Sequence, residues 1–472
     1  MISEQLLGEC LGVALSAGGD FGDVFYETTM PLAIQMEDGK VEKYITGLDS
    51  GVGIRVVYGG NTAYGYTNDL DAVSLLGTAR TVSNEALSAA KGARVYGEIN
   101  LTKKMPANEA LMDFKYAIMP DAVPSQDKIA LMRKADKAAR KFGTRIKQVN
   151  VVYSESLQRV VIATNDTLSA GTLCEDERLY TVFSVNVVAE ENGCIQTGYE
   201  TIGGLAGFEI LSEENVEALA VKAADRAIRM LSAPYVKGGR MAVVISSEAG
   251  GTMVHEAIGH GLEADLAGEH LSVYSGKMGE TVASPLITVI DDGTIRGKRG
   301  SFRFDDEGTP SGKNVLVSQG VLTGYMYDRI NAMKDGAGLT GNGRRESYRS
   351  RPIPRMTNTC LAPGKSSAGE ILRVTPDGLF VRKMGGGQVN TATGDFVFDV
   401  QEAYIIKNGT LGDPVRGATL CGNGPNVLGS IDMIADDLGF SIGTCGKDGQ
   451  GVPVADAMPT LRIPEIVVGG KG

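Results

Sequence analysis

The glycines of this 472-residue chain are unevenly spread: 22 of the 63 fall in residues 1–236 and 41 in residues 237–472. Glycine weakens a helix interior by about 1 kcal/mol relative to alanine and supplies the turn conformations that other residues avoid. The second half therefore cannot be built mainly from long helices. Its apolar runs are short, as in "PLITVIDDG", "NVLVSQGVLTGYMYD" and "DFVFDVQEAYIIKNG", and read as strands joined by tight turns. The boundary falls in "SAPYVKGGR", Ser232 to Arg240, where Pro and Gly follow a long helical stretch. The expected class is α+β with two domains: residues 1–235, hairpin-linked strands with long helices, and residues 236–472, a β-rich, barrel-like unit carrying one inserted helix.

Within the first half, "DVFYETTMPLAIQMEDGKVEKYITG" and "GVGIRVVYGGNTAYGYT" read as hairpins turning at Asp38-Gly39 and at Gly59-Gly60-Asn61. Helices are expected near 69–90, 125–142 and 212–232, the last two capped by Ser125 and Ser212. Strands lie between these last two helices, in "KQVNVVYSE" and "YTVFSVNVVAE". The N-terminal stretch places Leu6, Leu7, Cys10, Leu11 and Ala14 at helical spacing. Glu4, the lack of an early Lys or Arg, and Glu9 before Cys10 argue against a secretory or lipoprotein leader.

Charge and cysteine usage narrow the partners. A net charge of −11 and a pI near 5.0 disfavour a nucleic-acid partner held through its phosphates. No run of 18 apolar residues occurs, so no helix is expected to cross a membrane. Six scattered cysteines (Cys10, Cys174, Cys194, Cys360, Cys421, Cys445) do not form a disulfide framework and suit a reducing cytoplasm.

All three histidines, His255, His260 and His270, lie within 16 residues, in and just after "HEAIGHGLEAD". The zinc-protease helix H-E-x-x-H sets its histidines four apart, on one face. Here the step is five, which a regular helix turns through about 140°. Gly259 and Gly261 weaken the helix at that point. A break, or one wide turn with i→i+5 bonding, would swing His260 back toward His255. The preceding "MAVVISS" reads as a buried strand entering the helix at Ser246 or Ser247. The rival account is that the histidines merely cap and pack. A catalytic metal site needs a third protein ligand, and spacing leaves Glu263, Asp265, His270 or a distant cysteine open.

Other segments carry weaker signals. "MRKADKAARKFGTRIK" is a solvated helix face with Ala135, Ala138 and Phe142 on its apolar side. The arginines of "RRESYRSRPIPR" read either as a loop or as a substrate or partner contact, and "DDEG" (Asp305, Asp306, Glu307) as an ordinary turn in preference to a cation site. "SQDK" is a helix cap, and "GNGPNVLG" lacks the dinucleotide-binding glycine spacing. No phosphate-binding loop and no nucleophile elbow is present.

Taken in order, "HEAIGHGLEAD", "GSFRFDDEGTPS", "RPIPRMTNT", "GGGQVNTATGDF" and "GTCGKDGQGVPV" resemble the TldD/PmbA metalloprotease family, over essentially the whole chain. The resemblance implies a zinc ion, or another transition metal, bound by His255, His260 and Cys445, with His270 outside the set. It implies Glu256 as general base and a peptidase acting on unfolded peptides, taken as an added β-strand in an internal cavity. It also implies a dimer, either with a TldE/PmbA-like subunit that lacks the histidine motif or with a second copy. A peptide-binding subunit without turnover and a zinc hydrolase of small amides are the competing readings.

Overall fold

The computed structural model describes residues 2–86, 97–106, 115–165, 167 and 169–470. Ser3 caps the first helix, α1 (Glu4–Ala14), which buries Leu7, Cys10, Leu11 and Ala14 as its spacing predicts. Four strands follow: β1 (Phe21–Glu37), β2 (Lys40–Thr46), β3 (Asp49–Tyr58) and β4 (Asn61–Thr67). Both hairpins turn where expected, with positive φ at Asp38-Gly39 and at Gly59-Gly60. Next come α2 (Ala72–Ala86), β5 (Asn100–Lys103), α3 (Ser125–Arg140), β6 (Ile146–Asn165), β7 (Ala170–Glu191), β8 (Cys194–Leu205) and α4 (Glu213–Ser232). The expected helix 69–90 is thus α2 up to Ala86, and positions 87–90 lie outside the described residues. Ser212 caps α4 through a reciprocal box with Asn215. Ser125 does not cap α3: Pro124 takes that position, and the Ser125 hydroxyl bonds Tyr44 instead.

These strands form one sheet in the order β4-β3-β1-β6-β7-β5, with β2 on β1 and β8 on β7. Alternation divides its faces. Val24, Ile34 and Met36 of β1, Val149, Val151 and Ala163 of β6, and Leu173, Val185 and Val187 of β7 share one face, beneath α1 and α2 at one end and α3 and α4 at the other. The opposite face carries Phe25, Val160, Ile162 and Cys174, which pack against Phe304 and Tyr348 of the second half. It also carries charge. Arg55 bonds Asp23 and Glu307, the latter at 2.7 Å, Arg178 reaches Asp306 at 2.8 Å, and Arg345 reaches Asp23 at 3.0 Å.

The sequence expectations for "DDEG" and for the arginine-rich loop therefore change. Asp305, Asp306 and Glu307 are buried, as are Arg344, Arg345 and Arg355, so they pair within the chain and do not form a solvated turn or a partner contact. Only Arg349 and Arg351 of that loop remain exposed, and Arg349 bonds Asp49. A buried charge stripped of its partner is costly. Arg178→Met, which orphans both Asp176 and Asp306, is expected to lower unfolding stability by about 3–5 kcal/mol in chemical denaturation.

The second half begins with β9 (Gly239–Ile245) and continues through β10 (Val289–Asp292), β11 (Lys313–Ser318), β12 (Asn358–Leu361), β13 (Asp377–Val389) and β14 (Asp395–Lys407). It ends in β15 (Thr419–Asn423), β16 (Gly439–Lys447), β17 (Gln450–Met458) and β18 (Leu461–Gly469). The barrel expected from the glycine density is present and closed. Its pairing runs β13-β9-β18-β15-β14 and back to β13, all antiparallel except β13 with β9. A second sheet runs β11-β10-β12-β17-β16, which leaves β16 at an edge. Between β9 and β10 lies the histidine segment, packed into the same core as both sheets.

Candidate metal centre

The segment after β9 is not the single inserted helix that the sequence suggests. Ser246 caps a 3₁₀ turn at Ser247–Ala249, one α-turn spans Thr252–Val254, a π-turn spans His255–Gly259, and a 3₁₀ turn spans His260–Leu262. A short α-helix, Ala264–Gly268, closes the run. The amide of His260 donates to the carbonyl of His255, an i→i+5 bond that joins the two histidines directly. This wide turn cancels the rotation that a five-residue step would otherwise impose. The imidazole centroids stand 4.9 Å apart at 87°.

Glycines permit this path for steric reasons as well as conformational ones. A Cβ at Gly259 would lie 2.3 Å from Met356 Sδ, and one at Gly261 would lie 2.6 Å from the Tyr274 ring. At the entrance, Gly250 has φ +74° and rests on Ser441, while Gly251 rests on the Asp456 backbone. The segment is therefore pressed onto the β16–β17 hairpin, which carries Cys445 opposite Val452 and Ser441 opposite Asp456.

His255, His260 and Cys445 meet there, with one ligand atom from each lying within 4.8 Å of the others. The Cys445 Sγ to His260 Nε2 distance is 3.5 Å. Two ligands bonded tetrahedrally to one zinc-sized ion, at about 2.3 Å for sulfur and 2.1 Å for nitrogen, stand about 3.6 Å apart. The trio thus has the spacing and the donor chemistry of a metal site. His255 Nδ1 is buried with no hydrogen-bond partner among the described residues.

Charge around the trio favours the thiolate: burial opposes charge on His255 and His260, but Cys445, and Glu263 beside His260, raise both imidazoles. Burial opposes ionisation of Cys445, but hydrogen bonds from His255 and His260 override it and hold the thiol down to about 5. Burial likewise opposes ionisation of Glu263, yet His260 and Lys447 hold its carboxyl down to about 2. Glu256, half-buried beside His255, moves the other way: desolvation raises it despite the two imidazoles. A carboxyl displaced upward next to a metal-ligand set suits a group that accepts and returns a proton.

The remaining sequence candidates fall outside the trio. Glu263 accepts from His260 Nδ1 at 3.0 Å and from Lys447 at 3.0 Å, so it fixes the His260 ring from outside the trio. Asp265 pairs with Lys447 at 2.7 Å. His270 is exposed, with φ +57°. Sequence reasoning missed Lys447 and Asp456. Lys447 lies two residues beyond Cys445 on the same strand face, a spacing that only a known strand makes legible. Asp456 is a buried carboxylate that accepts from the Ser441 hydroxyl at 3.5 Å.

Comparison with known proteins agrees with this geometry. Family models described as PmbA/TldA metallopeptidase domain 1, central domain and C-terminal domain match residues 22–93, 118–231 and 238–470. A protein of Haemophilus influenzae named as a homologue of the metalloprotease TldD is 38% identical over 99% of this chain and 97% of its own length. A metalloprotease of Methanocaldococcus jannaschii is 36% identical, over 94% of this chain and 96% of its own. Among solved structures, TldE from Thermococcus kodakarensis matches with a TM-score of 0.75 and 15% identity, over 96% of this chain and 97% of that one. A Thermotoga maritima protein described as a candidate modulator of a DNA gyrase matches with a TM-score of 0.75 and 21% identity, over 95% and 96%. These two structures establish the fold alone.

Proposed function

The chain belongs to the PmbA/TldD family of metallopeptidases, and on that premise we propose that it is a zinc-dependent peptidase acting on unfolded peptides. The observation that carries this reading is the convergence of His255, His260 and Cys445, drawn together from positions 190 residues apart by a π-turn and an edge strand. When bound, zinc would supply Lewis acidity toward the scissile carbonyl and acidify a water. His255, His260 and Cys445 would hold it, and two imidazoles with a thiolate suit that ion. Glu256 takes the proton of the attacking water and returns it to the leaving amine. Glu263 fixes the His260 ring through Nδ1 and is in turn neutralised by Lys447.

The edge position of β16 supports uptake of substrate as an added strand. Among the described residues β16 pairs only with β17, so a peptide laid along its free edge runs beside Cys445. Such binding reads main chain more than side chains and admits only chains that are already extended. We divide the protein into residues 1–235 and 236–472, since no strand ladder crosses that point among the described residues. We further assign it to the cytoplasm, in a dimer with a motif-less relative or with itself. No disulfide joins its cysteines, and no described helix is long and apolar enough to cross a membrane.

Incubation of the purified protein with a reduced, alkylated polypeptide and with the same polypeptide folded tests the reading. Cleavage of the unfolded form only, lost with a chelator and restored by zinc, is expected. Turnover of small amides without peptide cleavage, or binding without turnover, would overturn it. Glu263→Gln, which keeps the shape but loses the charge facing His260, is expected to weaken zinc affinity about 10–100-fold in competition with a chromophoric chelator.

A further inference from the structure

The wide turn between the two histidines is held from outside by a short segment with no role so far. Tyr274 is 1% exposed, and its hydroxyl donates to the carbonyl of Ala257, in the middle of the π-turn, at 3.0 Å. Two residues earlier, Ser272 donates through its hydroxyl to the carbonyl of Gly261 at 2.6 Å and accepts from the Tyr274 amide at 3.0 Å. The two carbonyls flank His260, one on each side.

The clamp is itself anchored. Tyr325 donates its hydroxyl to the Tyr274 carbonyl at 2.6 Å, and the Val273 amide bonds Thr391 at 2.8 Å. Gly424, in the "GNGPNVLG" segment that matched no nucleotide motif, closes the socket. A Cβ there would stand 2.4 Å from the Ala257 carbonyl and 3.3 Å from the Tyr274 hydroxyl. Gly261 in turn leaves room for the Tyr274 ring. Burial raises the Tyr274 hydroxyl well above its ordinary value, so it remains a donor at every working pH.

The geometry points to Tyr274, assisted by Ser272, as a positioning residue that holds the His255–Gly259 π-turn in the register that brings the two imidazoles onto one ion. This rests on the metal assignment above. An i→i+5 turn is an uncommon state of a helical segment, found where something imposes it. The Tyr274 hydroxyl, aimed at the Ala257 carbonyl inside the turn, and the Ser272 hydroxyl, aimed at the Gly261 carbonyl just after it, impose it here. The alternative is that Tyr274 merely fills the core with its ring.

Tyr274→Phe separates the two, because it keeps the ring and removes the donor. In full-length, metal-free protein, amide hydrogen exchange of residues 255–260 is expected to quicken at least about tenfold. Cobalt(II) titration is expected to show affinity lowered about 10–100-fold, with an altered d–d band. Circular dichroism and melting temperature should remain close to wild type. Ser272→Ala should shift both readouts in the same direction by less, and it decides the matter should Tyr274→Phe fail to fold. Unchanged exchange and an unchanged cobalt spectrum in whichever variants fold would overturn the assignment. Wild-type protein that takes up no cobalt would instead remove the metallopeptidase reading, and the exchange rates of the metal-free proteins would still test the clamp.

Discussion

Glu256→Gln is expected to fold and bind zinc as the parent does, yet to hydrolyse peptides about 10²–10⁴-fold more slowly in kcat. The amide has nearly the same shape as the carboxyl but neither takes nor returns a proton. Glu256 makes no ligand contact with the trio, since the converging atoms belong to His255, His260 and Cys445. Metal content by mass spectrometry should therefore equal that of the parent while turnover collapses, and KM should change little. Burial already lifts the Glu256 carboxyl above its ordinary range despite the two imidazoles, which makes its carboxylate a stronger base. A variant with undiminished turnover would remove Glu256 from the chemistry.

Cys445→Ala is expected to fail at an earlier step. Two histidines alone make a poor zinc site, because catalytic sites keep three protein ligands. Zinc content should fall from about one ion per chain to background, and peptide cleavage should fall with it. The thiolate that His255 and His260 stabilise at pH values down to about 5 is the one anionic member of the trio. Its loss also leaves two buried imidazoles facing each other. Melting temperature in the absence of metal distinguishes this from unfolding: Cys445 is a small buried side chain at a barrel-side hairpin, and its truncation should cost the apoprotein only a few degrees.

Much of this was legible in the residues. The hairpin turns, the apolar spacing of α1, the α4 boundaries and a break or wide turn at Gly259 each follow from a local rule about backbone conformation, and local rules can be read from local sequence. The closure of the barrel was legible as a tendency. Which strand pairs with which was not, because β9 meets β18 across more than 200 residues and nothing in either run specifies the other. Cys445 belongs to the same class: spacing left it among several candidates, and only the family resemblance singled it out. The buried arginines and acids failed for a different reason. Charged residues in loop-like stretches read as solvated, and that reading breaks where the sheet of the first half brings countercharges to cover them. Tyr274 left no sequence signal at all, since an aromatic in a loop is indistinguishable from an ordinary core residue until its hydroxyl has a direction.

The late position of Cys445 has a consequence for a chain emerging from the ribosome. Its thiol comes from the last hairpin, and the strand that seals the barrel, β18, follows it. On the proposed site, a nascent or prematurely terminated polypeptide carries His255, Glu256 and His260 but no complete nest for the ion, and so would have no cutting power. Under the proposed function its prey is unfolded chain, and a ribosome's surroundings are rich in just that, so order of synthesis would act as a safety catch: the blade is armed only after almost everything else has been made.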